Sequence, residues 1–110
     1  IEHVEEAQRR NISFEFTANQ GKLTLKYASG EPEELSALRV YFVHATQPEK
    51  DFNRLLSVAA DGTYRADSPD NISGKWTVTV EPYNKVWKVS EKYQLPKSEL
   101  TKLRPLLYGV

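Results

Sequence analysis

Apolar and polar residues alternate along most of this chain, and a period of two residues is the signature of β-strands with one buried and one solvated face. The alternation is clearest at residues 12–17, 22–27 and 76–81. Turn-forming residues separate the alternating segments at spacings close to about ten residues. The pattern predicts an all-β domain built from short antiparallel strands.

The alternating segments number about seven, which is typical of an immunoglobulin-like antiparallel β-sandwich of about 100 residues. Two pairs of neighbouring strands should form hairpins, one around the turn at 19–21 and one around the turn at 82–85. The Asp-Gly dipeptide at 61–62 predicts a further, two-residue hairpin between a strand at 56–60 and a strand at 63–66.

The 110 residues suffice for one domain that buries a core without covalent staples. We predict a short N-terminal helix at 1–11, the sandwich at 12–95 and a short C-terminal helix or tail at 96–110, where leucines recur at helical spacing. Because the chain opens at Ile1 and has no Met, we expect any anchor or signal to precede this sequence.

Composition removes several classes of function. Fifteen Lys and Arg residues balance fifteen Asp and Glu residues, so the chain lacks the positive charge that nucleic-acid binding needs. It contains no Cys, which excludes disulfides, Cys-ligated zinc, iron–sulfur clusters and thiol nucleophiles. Copper(I) prefers Cys and Met ligands, and the chain has neither residue. We therefore expect no cofactor and no nucleic-acid partner.

The residues that could carry catalysis or bind a metal are few. The two histidines, His3 and His44, do not lie at a familiar ligand spacing. His44 ends a predicted strand, so we expect it to hydrogen-bond the following loop, and we expect His3 to be solvated. Turn formation explains Asp67 and Asp70 better than a catalytic pair does. With no nucleophile elbow or Gly-rich phosphate loop in the sequence, we expect no enzymatic activity.

The aromatic residues divide into core and surface candidates. Trp76 and Trp87 fall on the apolar faces of neighbouring predicted strands, which favours core packing for both. Tyr64 follows the Asp-Gly turn and resembles a tyrosine corner, in which the ring packs inward and its hydroxyl binds a backbone group. Three further tyrosines have no such placement, and any that is exposed is a candidate for a contact surface: Tyr41, Tyr83 and Tyr108.

An ordered set of short motifs resembles the FixH (CcoH) family. The set comprises an apolar strand ending at His44, a loop at 48–51 with a later Asp, a D-G-x-Y motif at 61–64 and a G-x-W motif at 74–76. The similarity covers about residues 12–93, and a helix before the first strand also fits. Ala45 follows His44, whereas the family pattern has Pro there. We assign the motif residues to the fold: His44, Asp61, Gly62, Tyr64, Gly74 and Trp76.

The resemblance implies an assembly or maturation factor for a cbb3-type cytochrome c oxidase. It further implies a membrane-spanning helix before Ile1, with this domain on the periplasmic side of a bacterial inner membrane. The implied partners are the oxidase subunits and a copper-transporting P-type ATPase. On this interpretation the domain is a non-enzymatic protein-interaction module that offers a sheet face or an edge strand.

Two alternatives remain open. In the first, the chain is a periplasmic metal- or small-ligand-binding sandwich in which His44 acts with Asp51 or Glu49. In the second, it is an adhesion or sensor module, which would require exposed aromatic side chains.

Overall fold

The chain folds into two antiparallel β-sheets that pack face to face. The computed structural model describes residues 2–69 and 72–103, with side chains for 2–69 and 72–96. One helix, α1 (Glu2–Arg9), precedes the sheets, and a single 3-10 turn (Pro48–Lys50) lies between β3 and β4. The strands in this part of the chain are β1 (Ser13–Asn19), β2 (Lys22–Ser29), β3 (Leu38–His44), β4 (Phe52–Leu56), β5 (Tyr64–Asp67), β6 (Gly74–Pro82), β7 (Val89–Leu95) and β8 (Lys97–Leu103).

The first sheet has the strand order β5-β2-β1-β8, and the second has the order β4-β3-β6-β7. The predicted all-β class, the two antiparallel sheets and the N-terminal helix are therefore confirmed. The immunoglobulin-like description stays a prediction.

Two of the predicted hairpins form. β1 and β2 pair directly across a two-residue turn, with Asn19 opposite Lys22. β6 and β7 pair with Val80 opposite Val89 and Trp76 opposite Tyr93. In both hairpins the alternation sets the register, because a shift of one residue would move every apolar side chain to the solvent.

The third predicted hairpin, around Asp61-Gly62, forms only next to its turn, where Val58 pairs antiparallel with Tyr64 as an isolated bridge. Its extension into paired strands at 56–60 and 63–66 is wrong. The turn itself forms, since the Ala59 N–H donates to the Thr63 carbonyl at 2.9 Å. The flanking strands nevertheless join different sheets: β4 pairs with β3, whereas β5 pairs with β2. Turn residues specify a local reversal of the chain, but the burial of Leu56 in one sheet and Tyr64 in the other decides where each strand pairs.

The predicted C-terminal helix is also wrong over the described residues. Lys97–Leu103 forms strand β8, which pairs antiparallel with β1 and brings Phe14 opposite Leu103. Without β8, β1 would be an edge strand with unpaired backbone groups, so sheet pairing outweighs the helical spacing of the leucines. Residues 104–110 lie outside the described residues.

The core lies between the sheets and is rich in aromatic side chains. Phe16 of the first sheet packs on Phe42 of the second with ring centroids 6.2 Å apart. Trp76 and Trp87 are 2% and 4% exposed, which confirms the core prediction for both residues. Ala7 is the buried contact of α1, so the helix also packs against this core.

The prediction for Tyr64, an inward ring whose hydroxyl binds a backbone group, is confirmed. Its side chain is fully buried, and its hydroxyl donates to the Ser36 carbonyl at 2.7 Å. Burial raises the pKa of this hydroxyl. The contact fixes the loop that leads from the first sheet to the second.

Tyr64→Phe is expected to lower the free energy of unfolding by about 1–2 kcal/mol, because the half-buried Ser36 loses the hydrogen-bond donor to its carbonyl while the ring still packs. Urea unfolding of the variant measures this loss. Tyr83→Phe is the matched control, since Tyr83 is 72% exposed and the same change there should leave stability unaltered. Equal stability of the Tyr64→Phe variant and the wild type would contradict this role.

Candidate functional site

Three of the FixH-like motif positions meet at one end of the second sheet. His44, the last residue of β3, lies opposite Trp76 of β6 in the strand register. The two rings pack edge to face, with centroids 4.8 Å apart and planes at 83°. Gly74, at the start of β6, lies against the same imidazole.

The imidazole of His44 caps the loop that follows its strand. Its Nδ1 atom accepts hydrogen bonds from the backbone N–H groups of Thr46 at 3.1 Å and Gln47 at 3.0 Å. The backbone N–H of His44 in turn donates to Oδ1 of Asp51 at 2.7 Å. The predicted hydrogen bonding of His44 to the following loop is therefore confirmed.

Gly74 is required by both backbone and packing. Its backbone φ of +129° is an angle that residues other than glycine rarely adopt. A Cβ atom at this position would lie 2.9 Å from Nε2 of His44. Two residues later, the indole N–H of Trp76 donates to the Ile72 carbonyl at 2.8 Å. The G-x-W motif thus holds the histidine and anchors the start of β6.

The D-G-x-Y motif shapes the turn before β5. The Asp61 carboxylate accepts the Thr63 backbone N–H at 3.0 Å and pairs with the Arg65 guanidinium at 2.9 Å. The hydrogen bonds from Arg65 and Thr63 lower the pKa of Asp61 to about 2. Gly62 has a φ of +82°. These contacts place Tyr64 so that it can reach the core.

The groups suggested for a metal site are engaged elsewhere. Asp51 accepts the backbone N–H of His44, and the Nδ1 lone pair of His44 faces two backbone donors. Glu49 is exposed in the 3-10 turn. Among the described side chains, those of residues 2–69 and 72–96, no group of three or more His, Cys, Asp or Glu residues is placed to hold a metal ion.

The other polar candidates lie apart from this end of the sheet. His3 is exposed in α1, and its carbonyl accepts the Lys88 backbone N–H. Asp67 forms an exposed ion pair with Lys22 at 2.7 Å. Asp70 lies outside the described residues.

Titration of zinc(II) or copper(II) is expected to show no micromolar binding that depends on His44, because coordination at Nδ1 would displace two backbone hydrogen bonds. Isothermal titration calorimetry of the wild type and the His44→Ala variant measures this. His3→Ala is the control for adventitious binding by an exposed imidazole. Micromolar or tighter affinity that disappears only with His44→Ala would revive the metal-site alternative.

A groove of about 540 Å³ lies beside His44, across the ends of β3, β6 and β7. We call it the basic groove, because its lining includes two lysines and no carboxylate: Val43, His44, Ala45, Lys75, Trp76, Thr77, Lys92, Tyr93 and Gln94. Both lysines are exposed. Only the strand register shows that they neighbour each other and Val43 on one surface.

The tyrosines considered for a contact surface differ in exposure. Tyr83, in the turn between β6 and β7, is 72% exposed. The hydroxyl of Tyr41 donates to Glu81 at 2.9 Å, and its side chain is half-buried on the outer face of the second sheet. Tyr108 lies outside the described residues. Tyr83 is therefore the exposed tyrosine of this set in the described part of the chain.

Comparison with known proteins identifies the family. The FixH family model matches residues 1–94, which include the helix, the first six strands, all of β7 but its last residue, and every motif described above. A search of curated proteins found no significant match. Within the described residues, no helix is both long enough and apolar enough to cross a membrane. FixH proteins are typically membrane-associated, and the family match points to oxidase-related biogenesis in general. The chain belongs to the FixH family.

Proposed function

We propose that this chain is a non-enzymatic assembly or maturation factor for a cbb3-type cytochrome c oxidase, and that it acts as a protein-interaction domain. The observation that carries the proposal is the use of the FixH-like motif residues within the fold. The imidazole of His44 binds the next loop, and Gly74 and Trp76 pack against that imidazole. Residues with these structural roles support a surface for partners rather than a reaction centre.

The outer face of the second sheet offers such a surface. Val43 on β3 is 46% exposed and Leu55 on β4 is 57% exposed, and both face away from the core. On β3, the half-buried Tyr41 lies on this face between Val43 and Arg39, and Arg39 is opposite Leu55. Contact surfaces of interaction domains commonly combine exposed apolar side chains with a polar rim.

The proposed partners are the oxidase subunits and a copper-transporting P-type ATPase. We place the domain on the periplasmic face of a bacterial inner membrane, held by an N-terminal membrane helix that is not part of this sequence. Both statements extend the family assignment. The absence of Cys and Met from the sequence favours a role in which the domain contacts partners rather than carrying copper(I) itself.

Affinity purification of the full-length protein from detergent-solubilised native membranes tests this proposal. Quantitative mass spectrometry against an untagged strain should show enrichment of oxidase subunits or the copper-transporting ATPase. The strain must express the oxidase, and the bait must be recovered in comparable amounts in each replicate. Recovery of abundant bait without either partner would contradict the proposal.

A further inference from the structure

The basic groove has a charge pattern that stands out on a chain whose net charge is zero. Its two lysines, Lys75 and Lys92, are both exposed, and none of the nine lining residues is acidic. In the described part of the chain, neither ammonium group forms an ion pair with a carboxylate. The groove therefore concentrates positive potential that nothing in its own lining neutralises.

The side chains beside the lysines carry no charge: the polar Thr77 lies between Lys92 and Val43, and the apolar Val43 and Ala45 lie on the β3 side of the groove. Val43 lies opposite Thr77, which in turn lies opposite Lys92, so these residues form one row across three strands. Ala45 is exposed at the next position along the groove, and its backbone N–H donates to the Lys75 carbonyl. An apolar surface next to a charge reduces the local screening by water and strengthens pairing with an anion.

The spacing of the lysines fits an extended chain. Lys92 lies opposite Thr77, two residues from Lys75 on the neighbouring strand, and such diagonal positions are about 7–8 Å apart. Side chains on one face of an extended segment are spaced about 6.6 Å apart along the segment. Two acidic side chains at alternate positions of an extended segment would therefore meet both ammonium groups.

One wall of the groove is an edge strand. β7 pairs with β6 and has no second neighbour in the described strand order. Edge strands are where extended segments of partner proteins add to a sheet. A partner that lies along β7 would bring its side chains to the two lysines.

We propose that the basic groove binds an extended acidic segment of a partner protein, with carboxylates at alternate positions pairing with Lys75 and Lys92. This inference names the contact surface of the interaction domain and so rests on the proposed function.

The direct test is a titration of the 110-residue chain with a short peptide that alternates glutamate and valine. A peptide of equal length that alternates glutamine and valine is the uncharged control. Backbone amide NMR signals of Val43, Thr77 and Lys92 should shift with the glutamate peptide and not with the glutamine peptide. The shifts should weaken as salt is added, because the pairs are exposed.

Charge reversal assigns the binding to the groove. The Lys75→Glu, Lys92→Glu double variant should bind the glutamate peptide at least about tenfold more weakly. Lys26→Glu, Lys85→Glu is the matched control, because it makes the same change in net charge at exposed positions away from the groove. Failure of the wild type to bind the peptide, or equal loss in both double variants, would overturn the proposal.

Co-purification with the same variants separates this inference from the proposed function. If the wild type and the groove variant recover oxidase subunits equally, the groove assignment fails while the assembly role stands. If the wild type recovers neither proposed partner but binds the glutamate peptide through the lysines, the assembly role fails while the groove assignment stands.

Discussion

Trp76→Ala is expected to lower the free energy of unfolding by about 3–5 kcal/mol. The indole is 2% exposed, and its ring packs on Phe42, Phe52 and His44 with centroid distances of 6.3, 5.6 and 4.8 Å. Its N–H also donates to the Ile72 carbonyl. Truncation would therefore leave a cavity on the core face of the second sheet, beside Phe42 and Phe52, and a carbonyl without its donor.

Thermal and urea unfolding of the 110-residue chain measure this effect. Tyr83→Ala is the matched control, because it removes a large aromatic ring from a site that is 72% exposed. The control should change stability by less than about 0.5 kcal/mol. An unchanged melting temperature for Trp76→Ala would instead place the indole on the surface and contradict the core described here.

Gly74→Ala is expected to cost about 2–3 kcal/mol of unfolding free energy. The φ of +129° strains any residue with a Cβ, and the new methyl group would lie 2.9 Å from Nε2 of His44. The imidazole is held by two hydrogen bonds at Nδ1, so it cannot turn away without losing them. The substitution should therefore also disturb the loop after β3.

Gly62→Ala is the control that separates the two causes of lost stability, the strained backbone angle and the clash of the new methyl group. Gly62 also has a positive φ, +82°, but a Cβ there would meet nothing within 4 Å. Urea unfolding should show a larger loss for Gly74→Ala than for Gly62→Ala, and His44→Ala should reduce the additional loss in a double-mutant cycle. Equal losses at the two glycines, with no coupling to His44, would refute the proposed contact.

Much of the sandwich can be predicted from the sequence because alternation and turn chemistry act locally. The alternating residues at 12–17 and 22–27 specify two half-buried strands, and the short turn between them specifies their pairing. Tyr64 is predictable for the same reason, since its position after the Asp-Gly turn indicates an inward ring.

Pairing between distant strands is the part that local patterns do not encode. The Asp61-Gly62 turn is present, yet β5 leaves it for β2, which lies about 40 residues earlier in the chain. Similarly, Lys97–Leu103 pairs with β1 at the opposite end of the sequence, where its backbone groups complete the first sheet. In both cases tertiary contacts decide the outcome.

In the candidate site, too, the features set by local sequence were predictable and those set by strand pairing were not. The structural role of His44 follows from its position at a strand end, and its hydrogen bonds to Thr46 and Gln47 confirm the prediction. The basic groove was not predicted, because Lys75 and Lys92 become neighbours only through the register of β6 and β7. A single solvent-facing lysine carries no signal of its own in a charge-balanced sequence.

The proposed role of this FixH-family chain in assembly of a cbb3-type oxidase can be tested by measuring the amount of assembled oxidase in membranes of a strain that lacks the gene. Native gel electrophoresis with an oxidase activity stain measures that amount at matched expression of the oxidase genes. We predict a clear loss of the assembled enzyme that the full-length wild-type gene restores. An unchanged amount of active oxidase in the deletion strain would contradict the account.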